Sequence, residues 1–385
     1  MIKFKFFKKL QNVLKITLIK LPGKCDIIIY DETRSDLIKS YLPAEKEIFI
    51  FKTREKCLYI SKYILFDILK NLIKKEYRNL IFLNGFSRYS MRIIKDCYHA
   101  AVLNYLKPNL VITFIDNNPR FGRLSRNFSQ IRFLAIQNGN RSSWETYENC
   151  NHDIYLSFYD RDSINLRKLG WEINQSVSFG SLNAARAFAS IKNEKVKRDL
   201  LIISSWRGNI EIDDDYLNQF NAMQEMHFYL NNLVRKEKYK ASIILYTQKN
   251  DQHWYIKEFA SNEEDFYKKI YGDNCEILYN NVLGYDVYKH INSSYLSVAF
   301  LTSAILEGYL YGHKCLYLNF YKDNYYHNNF PLETVIEKKD LSLMSLKIKN
   351  KIRESKRIHQ EITKNSKAKS NQNLDRFKEI LNENI

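Results

Sequence analysis

Two hydroxyl side chains, Thr302 and Ser303, stand where an apolar run, Tyr295-Leu-Ser-Val-Ala-Phe-Leu301, gives way to a short helical pattern that carries Glu307 one turn in. A second apolar run, His313-Lys-Cys-Leu-Tyr-Leu-Asn-Phe320, begins after Gly312. Either hydroxyl can cap the helix, and the open amides of its first turn then form an anion site. A carboxylate one turn in can accept hydrogen bonds from ribose or sugar hydroxyls while those amides hold a phosphate. The same letters also describe any helix N-terminus with an early glutamate. Their meaning depends on what stands at the neighbouring strand ends.

Those ends are polar. Leu110–Ile115 is followed by Asp116-Asn117-Asn118-Pro119, and Ile131–Ile136 by Gln137-Asn138-Gly139-Asn140-Arg141. Gly180-Ser181 follows a run near 175–179, and Ser205-Trp206-Arg207-Gly208 follows Leu200–Ser204. In parallel sheets, ligands collect at the carboxyl ends of the strands. Turn chemistry accounts for Gly139 and Gly208, and less well for Asp116, Gln137 and Arg207 recurring at one edge. Charge matching predicts a diphosphate held by Ser205, Arg207, Thr302 and Ser303, the guanidinium fork suiting phosphate oxygens, with Glu307 on the sugar. Asp116 is then the candidate general base for an acceptor hydroxyl. Asn117, Gln137 and Asn138, with Gly139 in their turn, are the candidate acceptor-binding residues. Trp206 is the one tryptophan whose position, beside Arg207, suits stacking on a sugar.

The elements that must position these residues alternate between strand-like runs and helical patterns, which predicts a parallel α/β architecture. Strands are expected at Asp26–Tyr30, Glu47–Phe51, Leu80–Leu83, Leu110–Ile115, Ile131–Ile136 and Ile154–Phe158, with helices near 61–76, 91–106 and 160–169. The scheme repeats with strands at Leu200–Ser204, Ser242–Tyr246, Glu276–Tyr279, Leu296–Leu301 and Lys314–Asn319, and helices near 215–237, 255–270, 284–291 and 303–311. The polar stretch 183–199 falls between the two series and is the expected linker. After Leu341 the pattern is helical: Ile348, Ile352, Ile358 and Ile362 make one stripe, and Leu374, Phe377, Ile380 and Leu381 another past a polar break at Ser370–Asn373. The expected organisation is thus a basic segment 1–24, a domain 25–182, a linker 183–199, a second domain 200–345 and basic helices 346–385.

The chain has 385 residues and a net charge of +17, long enough for two domains of ordinary size. Residues 1–24 hold seven lysines and no acid, and residues 346–370 hold nine Lys/Arg against two Glu. The body is therefore nearly neutral and lacks the basic, aromatic-studded stripe expected of a nucleic-acid binder. Phe7, Leu10, Leu14, Leu18 and Leu21 fall at helical spacing, which predicts an N-terminal helix, either packed on its own domain or lying on an anionic membrane. Its lysines exclude a membrane span. Six cysteines without a C-x-x-C pair suit a reducing, cytoplasmic setting, and eight histidines without H-x-x-H spacing give no support to a metal site.

The strings VITFIDNNPRF, FLAIQNGNR, SFGSLNAAR, ISSWRG and FLTSAILEGYLYGHKCLYLN resemble those of the bacterial surface carbohydrate biosynthesis proteins, GT-B-like glycosyltransferases of lipopolysaccharide and capsule gene clusters. The likeness runs in order over roughly residues 25 to 345. It implies two Rossmann-like domains with C-terminal helices, the first on the acceptor side and the second on the donor side. It also implies a nucleotide-sugar donor as substrate, a glycan or lipid-linked glycan acceptor, and no obligatory bound metal or cofactor. Location at the cytoplasmic membrane's inner face goes with that reading. Two features depart from the pattern. Asp31-Glu32-Thr33 stands where a glycine-rich loop is common, and Leu301-Thr302-Ser303 lacks the glycine pair of epimerase-like relatives. A nucleotide-sugar epimerase or a polyol-phosphate transferase would use the same edge, and a scaffold or nucleic-acid binder working through the basic ends is the non-enzymatic alternative.

Overall fold

The computed structural model describes residues 17–54, 57–73, 88–141, 150–191, 195–206, 214–248, 254–280, 285–321, 330–337 and 341–385. They form two compact units. The first comprises residues 1–138, 146–179 and 376–385, the second residues 139–145 and 180–375.

The first unit contains strands β1 (Thr17–Lys20), β2 (Ile27–Tyr30), β3 (Ile48–Phe51), β4 (Cys57–Ile60), β5 (Leu110–Thr113), β6 (Arg132–Ile136), β7 (Asn151–Ser157) and β8 (Glu172–Ser178). Its helices are α1 (Ser35–Lys39), α2 (Lys62–Ile73), α3 (Arg88–Leu106), α4 (Pro119–Asn127) and α5 (Asp160–Lys168). Six strands form a parallel sheet in the order β3-β2-β5-β6-β7-β8. The central runs Ile27–Tyr30 and Leu110–Thr113 are buried throughout, as expected of strands covered on both faces. Edge strand β8 is largely exposed or half-buried. A separate pair joins β1 to β4, also in parallel.

The second unit carries α6 (Leu182–Ser190), β9 (Arg198–Ile203), α7 (Asp214–Glu237), β10 (Ala241–Gln248), α8 (Trp254–Tyr271), β11 (Cys275–Asn280), α9 (Asp286–Asn292), β12 (Ser294–Ala299), α10 (Ser303–Leu310), β13 (Cys315–Asn319) and β14 (Val335–Glu337). Its parallel sheet runs β11-β10-β9-β12-β13-β14. The core gathers Leu200, Ile202, Val298, Leu316 and Leu318 from the strands with Met223, Met226 and Leu230 from α7. The last helix, α11 (Leu341–Asn384), has 44 residues.

Three expectations change. The segment 183–199 is not a linker: Ser181 caps α6 by accepting from the Ala184 amide, and Leu182, Ala184, Ala185, Ala187 and Phe188 bury one face of that helix. The units divide at Gly180. An N-terminal helix does not reach Leu18 and Leu21: Thr17–Lys20 is a strand registered on Cys57–Ile60, and Leu21 is core. Residues 1–16 lie outside the described residues, as do Trp144 and the strand expected at Leu80–Leu83. The C-terminal helices are one helix, because Ser366 and Ser370 continue the buried stripe from Ile362 to Leu374. Ser366 Oγ, one turn before the expected break, meets His313 Nε2 at 3.1 Å, and Asn373 at its end donates to the Tyr311 hydroxyl at 2.9 Å.

Candidate functional site

In the second sheet the strand order reverses between β9 and β12, which lie side by side with Ile203 opposite Ala299. Such a switch point opens a crevice at the carboxyl ends of the strands. Ser204-Ser205-Trp206 leaves β9 there, and Phe300-Leu301-Thr302 leaves β12. Of the residues expected to hold a diphosphate, Ser205, Thr302 and Ser303 are thus brought to one edge; Arg207 lies outside the described residues.

Each is placed by local chemistry. Thr302, in extended backbone conformation, caps α10 by accepting from the Ala304 amide at 3.4 Å. Leu301 before it takes a φ of 47°, the left-handed conformation that glycine would adopt without cost. The missing glycine is therefore replaced by a strained leucine held by its own burial at 5% exposure. Ser303 opens the helix half-buried. The Ser205 hydroxyl is buried and finds no hydrogen-bond partner among the described residues, an exception in protein interiors that points to a ligand or solvent partner.

Behind this edge lies a buried polar network that sequence reasoning missed. Ser204 Oγ donates to Glu263, meets the Tyr267 hydroxyl at 2.9 Å and accepts from the Trp206 amide at 3.1 Å. Glu263 also takes the Tyr246 amide at 2.8 Å. Burial, then the Glu263 charge, holds the Tyr267 phenol well above its ordinary range, so it stays a neutral donor or acceptor. Trp206 packs edge-on against Phe220, and Phe266 and Tyr267 also lie against it; at 2% exposure it is core, and the sugar-stacking reading does not fit. Glu263 sits mid-helix, where nothing in the sequence separates an inward glutamate from a solvated one.

Glu307 is placed differently from expectation. Its carboxylate is buried at 3% exposure and accepts from Ser181 Oγ and from the Tyr288 hydroxyl at 2.6 Å. Tyr311 donates to the Ser181 carbonyl at 3.0 Å, and the Phe188 ring lies against Tyr288, Tyr311 and His313. In this arrangement Glu307 fastens α10 to α6 and α9.

In the first unit, Asp116 follows β5 and is fully buried. It accepts from the Tyr155 hydroxyl at 2.8 Å and the Asn138 amide at 3.4 Å. Gln137 is buried too; it accepts from the Phe158 amide at 2.7 Å and donates to Asp162 at 3.2 Å. Asn117 and Asn138 are half-buried, while Asn118 caps α4 in front of Pro119. Gly139 is not among the residues with positive φ, so its turn does not use glycine's freedom.

The strand order of this sheet reverses between β2 and β5, and Asp31 stands there with φ 83° at 2% exposure. It accepts from the Thr33 amide at 2.9 Å, the Thr53 hydroxyl at 2.7 Å and Arg54 Nε at 2.9 Å. Burial pushes its carboxyl upward, but these bonds from Thr33, Thr53 and Arg54 outweigh it and hold the group below the usual carboxylate range.

No family model matches this chain, and no curated protein matches it. Solved structures do. A candidate UDP-N-acetylglucosamine 2-epimerase from Listeria monocytogenes is similar at 14% identity and a TM-score of 0.51, over 89% of this chain and 91% of that one. A glycosyltransferase from Rickettsia africae gives 11% identity and a TM-score of 0.51 over 94% and 99%. The N-terminal domain of trehalose-6-phosphate phosphatase from Candida albicans gives 8% and 0.50 over 95% and 97%. At these identities the likeness is one of fold: the chain has the GT-B-like architecture of two Rossmann-like units with a helical C-terminus. Among the described residues, no helix is long and apolar enough to cross a membrane.

Proposed function

We propose that this chain is a glycosyltransferase that moves a sugar from a nucleotide-sugar donor to a surface polysaccharide or lipopolysaccharide acceptor at the inner face of the cytoplasmic membrane. The observation that carries the reading is the switch point of the second sheet. There the buried Ser205 hydroxyl, without a hydrogen-bond partner among the described residues, and the capped start of α10 at Thr302 and Ser303 meet at one edge. Amides and hydroxyls in that setting suit a diphosphate. Arg207 supplies the countercharge in this reading, and Glu307 orients α10 from inside. No bound metal or cofactor is part of the proposal; the nucleotide sugar is a substrate.

Asn117, Gln137, Asn138 and Gly139 make the acceptor side, with Asp116 as candidate base. The burial of Asp116 sets its test. A base gives an Asp116→Asn enzyme that still binds donor and acceptor but has no turnover. A residue that merely positions Tyr155 and Asn138 gives a reduced kcat, since the asparagine can still accept from both.

A nucleotide-sugar epimerase is the second reading, favoured by the likeness to the Listeria protein. The two separate on products. A transferase releases nucleotide only when an acceptor is present; an epimerase turns over with the nucleotide sugar as its sole sugar substrate. Retention of full glycan synthesis in cells carrying Arg207→Ala together with Ser303→Pro would sink the transferase reading.

A further inference from the structure

We infer that α2 is a membrane-docking helix that lies on an anionic lipid surface. A surface helix of a soluble protein normally turns its apolar stripe inward. In α2 only Ile64 is buried, while Tyr63, Phe66, Leu69 and Ile73 are 60%, 68%, 59% and 69% exposed and Leu65 is exposed beside them. At helical spacing Phe66, Leu69 and Ile73 share one face, with Tyr63 and Leu65 at its margins. Five large apolar side chains exposed on one helix of three turns form a patch of the kind that marks a contact surface.

Charge decides which contact. Lys62 and Lys70 are exposed on the same arc, and Lys62 lies 5.1 Å from the Tyr63 ring centre. The one acid of the helix, Asp67, is half-buried and accepts from Asn104 at 3.3 Å, away from that arc. Aromatic and leucine side chains flanked by lysines, with acid kept off the face, is the composition of an interfacial helix. Pairing with a second copy of the same face would set lysine against lysine. Strand β1 is registered on β4, with Lys20 opposite Ile60 at the end that leads into α2, so an exposed lysine of β1 stands near the start of this helix. The apolar ring ends and lysine stems would enter the acyl boundary while the ammonium groups meet lipid phosphates.

The inference stands apart from the donor reading, because vesicle binding is measured without donor or acceptor. The test is flotation of the purified full chain with phosphatidylcholine vesicles, with and without phosphatidylglycerol. The expected result is binding to the anionic vesicles that falls by about tenfold or more in Phe66→Asn/Leu69→Asn/Ile73→Asn, whose exposed positions leave the melting temperature unchanged. A second variant, Lys62→Glu/Lys70→Glu, should lose the preference for phosphatidylglycerol. The inference is overturned if the wild type does not float, or if the triple variant floats equally well. A dimer by light scattering that the triple variant abolishes would also overturn it, in favour of self-association.

Discussion

Leu301 and Asp31 each hold a positive φ at the switch point of their sheet, one in each unit. For a leucine the left-handed conformation costs roughly 1–2 kcal/mol, offset by roughly 1.5–3 kcal/mol from burying its side chain. An inverted ranking follows. Leu301→Ala keeps the strain and loses the burial, whereas Leu301→Gly loses both, so the glycine variant should be at least as stable as the alanine one in urea unfolding. Asp31 makes a different prediction. Its carboxyl is held below its unfolded value, so its stabilisation is present above pH ~4 and is lost as pH falls through the folded pKa. Asp31→Asn should therefore flatten the acid limb of stability below about pH 4, with little effect expected from the exposed Arg54 partner. A wild-type acid limb in the variant would contradict the assignment. Both residues were visible in the sequence as departures from glycine. That they adopt glycine's conformation was not, because neither side chain advertises it.

At the scale of elements, the join between β8 and α6 is where the sequence misled. Asn183–Asp199 is polar enough to resemble a linker, yet its alanines pack and Ser181 caps the helix they form. Gly180 makes the turn at φ 86°, where an added Cβ would meet Asn373 Nδ2 at 2.9 Å and the Tyr311 hydroxyl at 3.2 Å. Gly180→Ala should cost about 2 kcal/mol or more, from strain and displaced partners together. Ser181→Ala removes a cap and a bond to Glu307, and a loss of about 1–3 kcal/mol is expected. Thermal scans of the two variants check both. If Glu307 acts chiefly as a fastener, Glu307→Gln should keep most of the stability and most of the nucleotide affinity, and Glu307→Ala should lower both. The long helix α11 was legible as two stripes. Ser370, the first residue of the expected break, is buried, and a buried serine looks, in sequence, like a solvent-facing one.

For the whole molecule, strand and helix order was largely readable, since buried parallel strands announce themselves as apolar runs bounded by polar turns. Strand order was not, because it depends on which crossover goes to which side of the sheet; without it the switch points could not be located. A second whole-molecule property is acid sensitivity. Burial, followed by nearby cations, pushes His99 down to about 3 in the first unit. In the second, burial pushes His227 and His313 down to about 3 and His290 to about 4, with Arg198 also acting on His290. All stay neutral when folded, so their contribution is complete above pH ~6.5 and is lost as pH falls towards those values, by at most about 1.4 kcal/mol per pH unit for each. Three of the four lie in the second unit, which should therefore lose stability first between pH ~6.5 and 4.5. Calorimetry across that range checks it; two transitions that fall in parallel would contradict it.

The central claim is a nucleotide site at the edge shared by Ser205, Thr302 and Ser303. Ser303 is the first residue of α10 and follows a residue with φ −133° and ψ 138°, so proline there removes one amide of the site without breaking the helix. The measurement is thermal stabilisation of the wild type, Arg207→Ala and Ser303→Pro against a panel of nucleoside diphosphates and nucleotide sugars. At 100 times its dissociation constant a ligand adds about 2.7 kcal/mol, a shift of roughly 5–10 °C for a domain of this size. The account predicts such a shift with one nucleotide class, strongly reduced in both variants although they melt near the wild type on their own. A flat panel in well-folded wild-type protein, or a shift that both variants retain, would contradict it.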